Sequence, residues 1–318
     1  MKKLMLCLLG LALFSCSTNE EENTGNEATA SVLHRNCPSE DLLKEKLKND
    51  PQWAMRLHEM ENQVGKPLDL SRFKLVNGKI VIPVVVNVLY RTTAENITQA
   101  QIQSQIDVLN KDFNGTNSDF GNVPALFSSV KANVGISFEL ATINRKSTTK
   151  TTWGTADDMK KTAQGGLNPT TPTTHLNMWV CTIGGGILGY AQFPGGANAT
   201  DGVVIDSKYF GNTGTATSPY NLGRTATHEV GHWLNLRHIW GDTTCGTDLV
   251  ADTPTHNTAN YGTPSYPHYS TCTGTPVEMT MNYMDYVNDN AMYMFTNGQK
   301  DRMLALFNSG GARVTFAQ

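Results

Sequence analysis

Apolar positions recur along this chain with two different periods, and the switches between them mark its elements. Ser39 to Val64 reads as a helical segment. Ile80 to Tyr90 is so dense in valine and isoleucine that it predicts a buried strand. From Thr98 to Phe113 the period lengthens. Ile102, Ile106, Val108, Leu109 and Phe113 then form one broad apolar face of a helix, with Thr98 placed to cap its first turn. Val134 to Ile143 alternates as a strand, and Leu176 to Thr182 and Gly202 to Asp206 read likewise. Two further helices are predicted, over Asn221 to Leu234 and over Asn297 to Phe307. The run Gly184-Gly185-Gly186-Ile187-Leu188-Gly189-Tyr190-Ala191 lacks both the Lys-Ser/Thr ending and the following helix of a phosphate loop. An edge strand fits it better, and an unpaired edge binds extended peptide by strand addition.

The N-terminus follows a different logic. Lys2 and Lys3 precede an apolar run from Leu4 to Phe14, too short for a permanent membrane span, which reads as an export signal. Leu13-Phe14-Ser15-Cys16 resembles a bacterial lipobox, which predicts cleavage before Cys16 and acylation of that residue. A plain secretory signal is the alternative, since Phe14 is bulky for a lipobox. Ser17 to Ser31 is polar, carries Glu20, Glu21, Glu22 and Glu27, and shows no apolar period, which describes a disordered tether. The expected division is a signal over 1–15, a tether over 16–32, a leading segment over 33–78 and one main body over 79–318. The mature protein is then anchored to the cell envelope or surface by lipid alone, or released as a secreted protein.

Composition narrows the partners. A formal charge of −3 and a pI near 6.2 give no basic footprint, so nucleic acid is not expected. Hydrophobic residues at 39% and aromatics at 8% suffice for a globular core, and a monomer is expected.

The chemistry concentrates in His228-Glu229-Val230-Gly231-His232, followed by Trp233-Leu234-Asn235-Leu236-Arg237 and His238. Residues four apart share a helix face, so His228 and His232 can present two imidazoles to one small cation. Glu229 lies about 100° round the helix, beside the ion rather than on it, where a general base belongs. His238 is too far along a straight helix to join them. The helix must stop and the chain turn back, and Asn235 tolerates the left-handed conformation such a turn needs. Three imidazoles with one open position is the ligand count of a catalytic zinc, whereas structural sites are closed by four protein ligands.

This stretch resembles the metzincin metallopeptidases, with Asn235 in place of the usual glycine. Downstream, Asn282-Tyr283-Met284-Asp285-Tyr286 resembles the Met-turn of their pappalysin (cytophagalysin-type) branch. The resemblance implies an α+β fold: a twisted mixed sheet in an upper subdomain, the zinc helix, an irregular lower subdomain and a cleft between them. It implies that Met284 packs beneath the zinc imidazoles and that the Tyr286 hydroxyl stabilises the oxyanion. Ordinary core packing is the alternative reading of each of these side chains. The implied function is a zinc-dependent endopeptidase, made as an exported zymogen and acting on protein or peptide. A silent binding protein of the same fold is the competing function, disfavoured by the intact Glu229. A hydrolase acting on something other than peptide is a third.

Four cysteines remain once Cys7 leaves with the signal and Cys16 carries lipid. Cys245 and Cys272 flank the loop between the third histidine and the Met-turn. A bridge there would contribute about 3 kcal/mol by loop closure in an oxidising compartment. The family's second bridge is not expected, because Ala291 stands near its position. Cys181 reads as a buried small hydrophobe. Cys37, ahead of the first helical segment, fits the cysteine switch of metzincin zymogens, in which a thiolate fills the fourth zinc position. A disulfide to Cys181 or a free thiol remain open for it. The loop from Cys245 to Pro254 is rich in turns and acidic groups, and the resemblance implies calcium there, with Asp248, Asp252 and Thr253 as candidate ligands. A solvated acidic loop is the alternative. Related enzymes that cut before Arg or Lys carry an acidic residue shortly after the Met-turn. Here Asp289 is available, but Asn290 holds the expected position, so a basic preference stays open. Arg72, Lys74 and Lys79 are the candidate activation sites.

Overall fold

The computed structural model describes residues 34–316 except Lys74, and the expected signal, the tether and Cys16 lie outside the described residues. Five strands form one sheet: β1 (Ile80–Tyr90), β2 (Ile136–Ser147), β3 (Leu176–Cys181), β4 (Gly189–Ala191) and β5 (Val203–Asp206). Their order is β2-β1-β3-β5-β4. All neighbours are parallel except β4, which runs antiparallel to β5 at the edge. The last three residues of the Gly-rich run, Gly189–Ala191, are the edge strand, while Gly185 and Gly186 turn before it in left-handed conformations.

Both faces of β1, β3 and β5 are covered, which explains why β1 reads as a continuous apolar run, whereas β2 at the edge buries only Ile136 and Phe138 fully and alternates there. Val84, Val86, Met178, Val180 and Ile205 point into the main core, while Leu89, Trp179, Cys181 and Val204 point into a second cluster with Trp153, Met159 and Tyr190. The main core also takes Ile102, Ile106 and Leu109 from α3 (Gln99–Phe113) and Ala226 and Val230 from α4 (Arg224–Trp233). Thr98 Oγ1 accepts the Gln101 amide at 3.1 Å, the predicted cap. The last helix, α5 (Asn297–Ala305), opens with a Thr296–Gln299 capping box.

One predicted helix is two. The segment read as continuous from Ser39 to Val64 breaks into α1 (Ser39–Asn49) and α2 (Pro51–Glu61). Pro51 has no amide to donate and disfavours a helical conformation at Asp50, which instead caps α2 by accepting the Trp53 amide at 3.0 Å. Neither helix stands apart from the body. Cys37, Leu43, Trp53, Leu57 and Met60 are buried in the main core. Between Leu234 and Thr296 the described chain holds little regular structure, and the Cys245–Cys272 disulfide closes part of it.

Candidate active site

The site is built on α4, every residue of which is buried. Its N-terminus has no side-chain cap of its own, since Gly223 precedes it in a left-handed conformation. Asp289 supplies the missing acceptor. Its Oδ2 takes the amides of Leu222 and Arg224 at 2.8 and 3.2 Å. At the other end Asn235 adopts φ of 72°, the Asn235 amide bonds His232 O at 2.9 Å, and the Leu236 amide bonds Gly231 O at 2.9 Å. These two bonds are a Schellman closure with asparagine in the usual glycine place. The chain turns where the sequence requires it.

That turn brings the three histidines together. His232 Nε2 lies 3.2 Å from His228 Nε2 and 3.1 Å from His238 Nε2. Each Nδ1 is engaged elsewhere: His228 by Tyr283 O at 2.7 Å, His232 by Leu236 O at 2.8 Å and His238 by Asp242 Oδ1 at 2.7 Å. Because these acceptors fix the proton on Nδ1, all three Nε2 atoms direct lone pairs into one space, which is repulsive without a cation between them. Donors of a tetrahedral zinc with bonds of about 2.0–2.1 Å stand roughly 3.3 Å apart, so the spacing fits such an ion. Burial, and then the neighbouring imidazoles, holds His228 and His232 well below the usual histidine range, in the neutral form a metal needs. Cys37 Sγ completes the set, its donor atom and the three imidazole nitrogens all lying within 4.8 Å of one another.

Met284 is fully buried against α4. A Cβ on Gly231 would fall 2.6 Å from Met284 Sδ, so the glycine inside the motif is what lets the sulfur reach the helix. The Met284 carbonyl takes the Ile239 amide at 3.1 Å, tying the Met-turn to the third histidine. Glu229 is buried beside β4, and its Oε2 lies 3.2 Å from Cys37 Sγ and 3.1 Å from Ser39 Oγ. Burial pushes its carboxyl up to about 7. The Tyr286 hydroxyl donates to Cys37 O at 2.7 Å and accepts the Cys37 amide at 3.2 Å. Burial raises this phenol further, so it remains a donor.

The N-terminal segment fills the cleft. The Leu188 amide, just before β4, donates to Asn36 O at 3.1 Å and the Ala191 amide to Ser39 Oγ at 2.8 Å, so the edge strand is engaged by a segment of its own chain. Arg35 Nη2 pairs with Asp289 Oδ1 at 2.7 Å, both side chains being buried. Asn290 is exposed and bonds Thr263, so the acidic group facing the cleft is Asp289, one residue before the expected position. Farther out, Glu40 pairs with Arg237, Lys46 with Asp157 and Glu61 with Arg302, whose Nε also holds Asn235 O at 2.6 Å.

The three candidate calcium ligands take different hydrogen-bond partners. Asp248 accepts from Thr253 Oγ1 at 2.8 Å, but Asp252 turns away to Thr296 Oγ1 at 2.6 Å and the Gly298 amide at 2.8 Å, at the start of α5. Cys37 and Cys181 are both free and buried, and they do not pair.

Residues 174–308 match the family model described as pregnancy-associated plasma protein-A. An extracellular metalloprotease of Arthroderma benhamiae is 32% identical over 234 residues, covering 70% of this chain and 76% of its own length. A mutant of Tannerella forsythia promirolysin superposes with a TM-score of 0.80 at 43% identity, covering 89% of this chain and 97% of that one. Mature mirolysin in complex with a cleaved peptide gives 0.73 at 47% identity, over 75% of this chain and 96% of that one. The chain belongs to the pappalysin family. It is a metallopeptidase made as a zymogen, and its fold is that of the metzincin catalytic domain.

Sequence reasoning missed three of this pappalysin's site residues. Ser39 sits two residues from Cys37, a spacing that carries no signal until both are seen on Glu229. Asp242 is four residues past His238, but the helix rule that would pair them does not apply in a turn. Arg35 gave no sign that it would meet a residue 254 positions away.

Proposed function

We propose that the chain is a zinc-dependent endopeptidase that cuts before basic residues and is held latent by residues 33–78. The observation that carries this is the convergence of three Nε2 lone pairs beside a buried glutamate. His228, His232 and His238 would hold the zinc, whose contribution when bound is Lewis acidity, lowering the pKa of water and polarising the scissile carbonyl. Glu229 takes the proton of the attacking water and returns it to the leaving amine. Tyr286, kept protonated, donates to the carbonyl oxygen as it gains charge. The edge of β4 aligns the substrate backbone. Zinc analysis of the purified full-length protein is expected to give one ion per chain, with His238→Ala losing most of it. Full zinc content in that variant would overturn the ligand set.

Asp289 supports the basic preference. One oxygen anchors α4 while the other faces the cleft, where Arg35 now sits. Removal of the segment leaves that carboxylate free to receive a substrate Arg or Lys. Asp289→Asn, which preserves the acceptor for α4, is expected to cut discrimination between Arg and Ala after the scissile bond by about 2–3 kcal/mol, some 30- to 150-fold in kcat/KM. Competition between the two peptides, read by mass spectrometry, checks it. Unchanged discrimination would assign the specificity elsewhere.

The boundary at Lys79 is supported by the relatives, because mature mirolysin covers 75% of this chain and residues 79–318 are 240 of its 318. Export is supported by the extracellular relatives. Acylation of Cys16 remains the proposed anchor, tested by palmitate labelling that disappears in Cys16→Ala.

A further inference from the structure

The second nitrogens of the three imidazoles do not meet like partners. His228 and His232 meet main-chain carbonyls, which are neutral dipoles. His238 alone meets a carboxylate, Asp242 Oδ1, at 2.7 Å. We infer that Asp242 is a positioning residue of the metal centre: it fixes His238 in the tautomer that ligates through Nε2 and, by its charge, strengthens that ligand's hold on a divalent cation. This rests on the reading of the three histidines as ligands.

The local backbone is built for the contact. Asp242 lies four residues past His238 with no helix to bring it back, so the chain bends through two successive left-handed residues, Gly241 at φ 64° and Asp242 at φ 55°. The second is a conformation that a non-glycine residue adopts only at a cost. The Gly241 amide closes the turn on His238 O at 2.8 Å. A Cβ on Gly241 would meet the Thr247 amide nitrogen at 2.5 Å, so the bend is also packed shut from behind. Trp240 stacks on the His238 ring at 4.4 Å and 7°, which sets the ring plane. Asp242 sets the rotation within it. Of the three imidazoles His238 stands on the turn rather than on α4, so it has no helix to orient it and most needs these supports.

Such partners typically change metal affinity by about 10- to 100-fold. The test uses the full-length chain carrying Glu229→Ala, so that it does not digest itself, with zinc affinity read by competition against a fluorescent chelator. Asp242→Ala is expected to bind zinc about 100-fold more weakly. Asp242→Asn, which keeps an acceptor of the same shape without the charge, is expected to lose about tenfold while the metal-free protein melts at the parent's temperature. Parent-like affinity in Asp242→Asn would overturn the inference and leave the ligands standing. A parent that takes up no zinc would overturn the ligand reading itself, a result the Asp242 variants cannot imitate.

Discussion

Replacing Glu229 with alanine will lower kcat/KM for a peptide by about 10²- to 10⁴-fold while the zinc content stays at the parent's level. The separation follows from the helix. His228 and Glu229 are neighbours in sequence but about 100° apart round α4, so one can ligate while the other stands beside the ion. With the N-terminal segment seated, a thiol and a hydroxyl bond the Glu229 oxygen that the proposed mechanism turns toward water. Glu229→Gln, equal in shape but unable to take a proton, should fall as far as the alanine variant. Burial holds the carboxyl near 7 under the N-terminal segment. Uncovering it exchanges that low-dielectric cover for water and lowers the value, so the acid limb of the activity profile is expected below pH 7. Retention of full activity with full zinc content in Glu229→Ala would remove Glu229 from the reaction.

Much of the candidate metal centre was legible because local rules govern it. Helical spacing places His228 against His232, and one left-handed residue, Asn235, brings in His238. The buried strands were legible for a similar reason, since a sheet covered on both faces leaves unbroken apolar runs such as Ile80 to Tyr90. The break at Asp50-Pro51 was also written in the chain, but the apolar period continues across it and outweighed the proline. What stayed hidden depends on contacts far apart in sequence. Asp289 reads only as the acidic residue available after the Met-turn, off the expected position, until Arg35 and the start of α4 are seen on its two oxygens. The acidic loop after His238 suggested calcium, but the partner of each acidic group is not written locally, and Asp252 reaches the start of α5.

Full-length protein carrying Cys37→Ala is expected to hydrolyse a short peptide about 10- to 100-fold faster than the parent precursor while its chain is still intact by mass. The estimate follows from what the cysteine does there. Its thiol bonds Glu229 and Ser39, and a hydrogen bond to a charged group contributes about 1.5–3 kcal/mol, whereas the backbone bonds to the Tyr286 hydroxyl survive in alanine. Bound zinc would add to this, because it converts a thiol that burial otherwise keeps protonated into a ligand. Latency will not vanish with the cysteine, since Ser39 still holds Glu229 and the Arg35–Asp289 pair still anchors the segment. Adding Arg35→Ala should therefore raise activity again. Cutting the exposed junction around Leu70 and Val76 has a smaller effect by itself, because Leu43, Trp53, Leu57 and Met60 keep α1 and α2 seated in the shared core. A Cys37→Ala precursor as silent as its parent would show that these anchors, and not the thiol, impose latency.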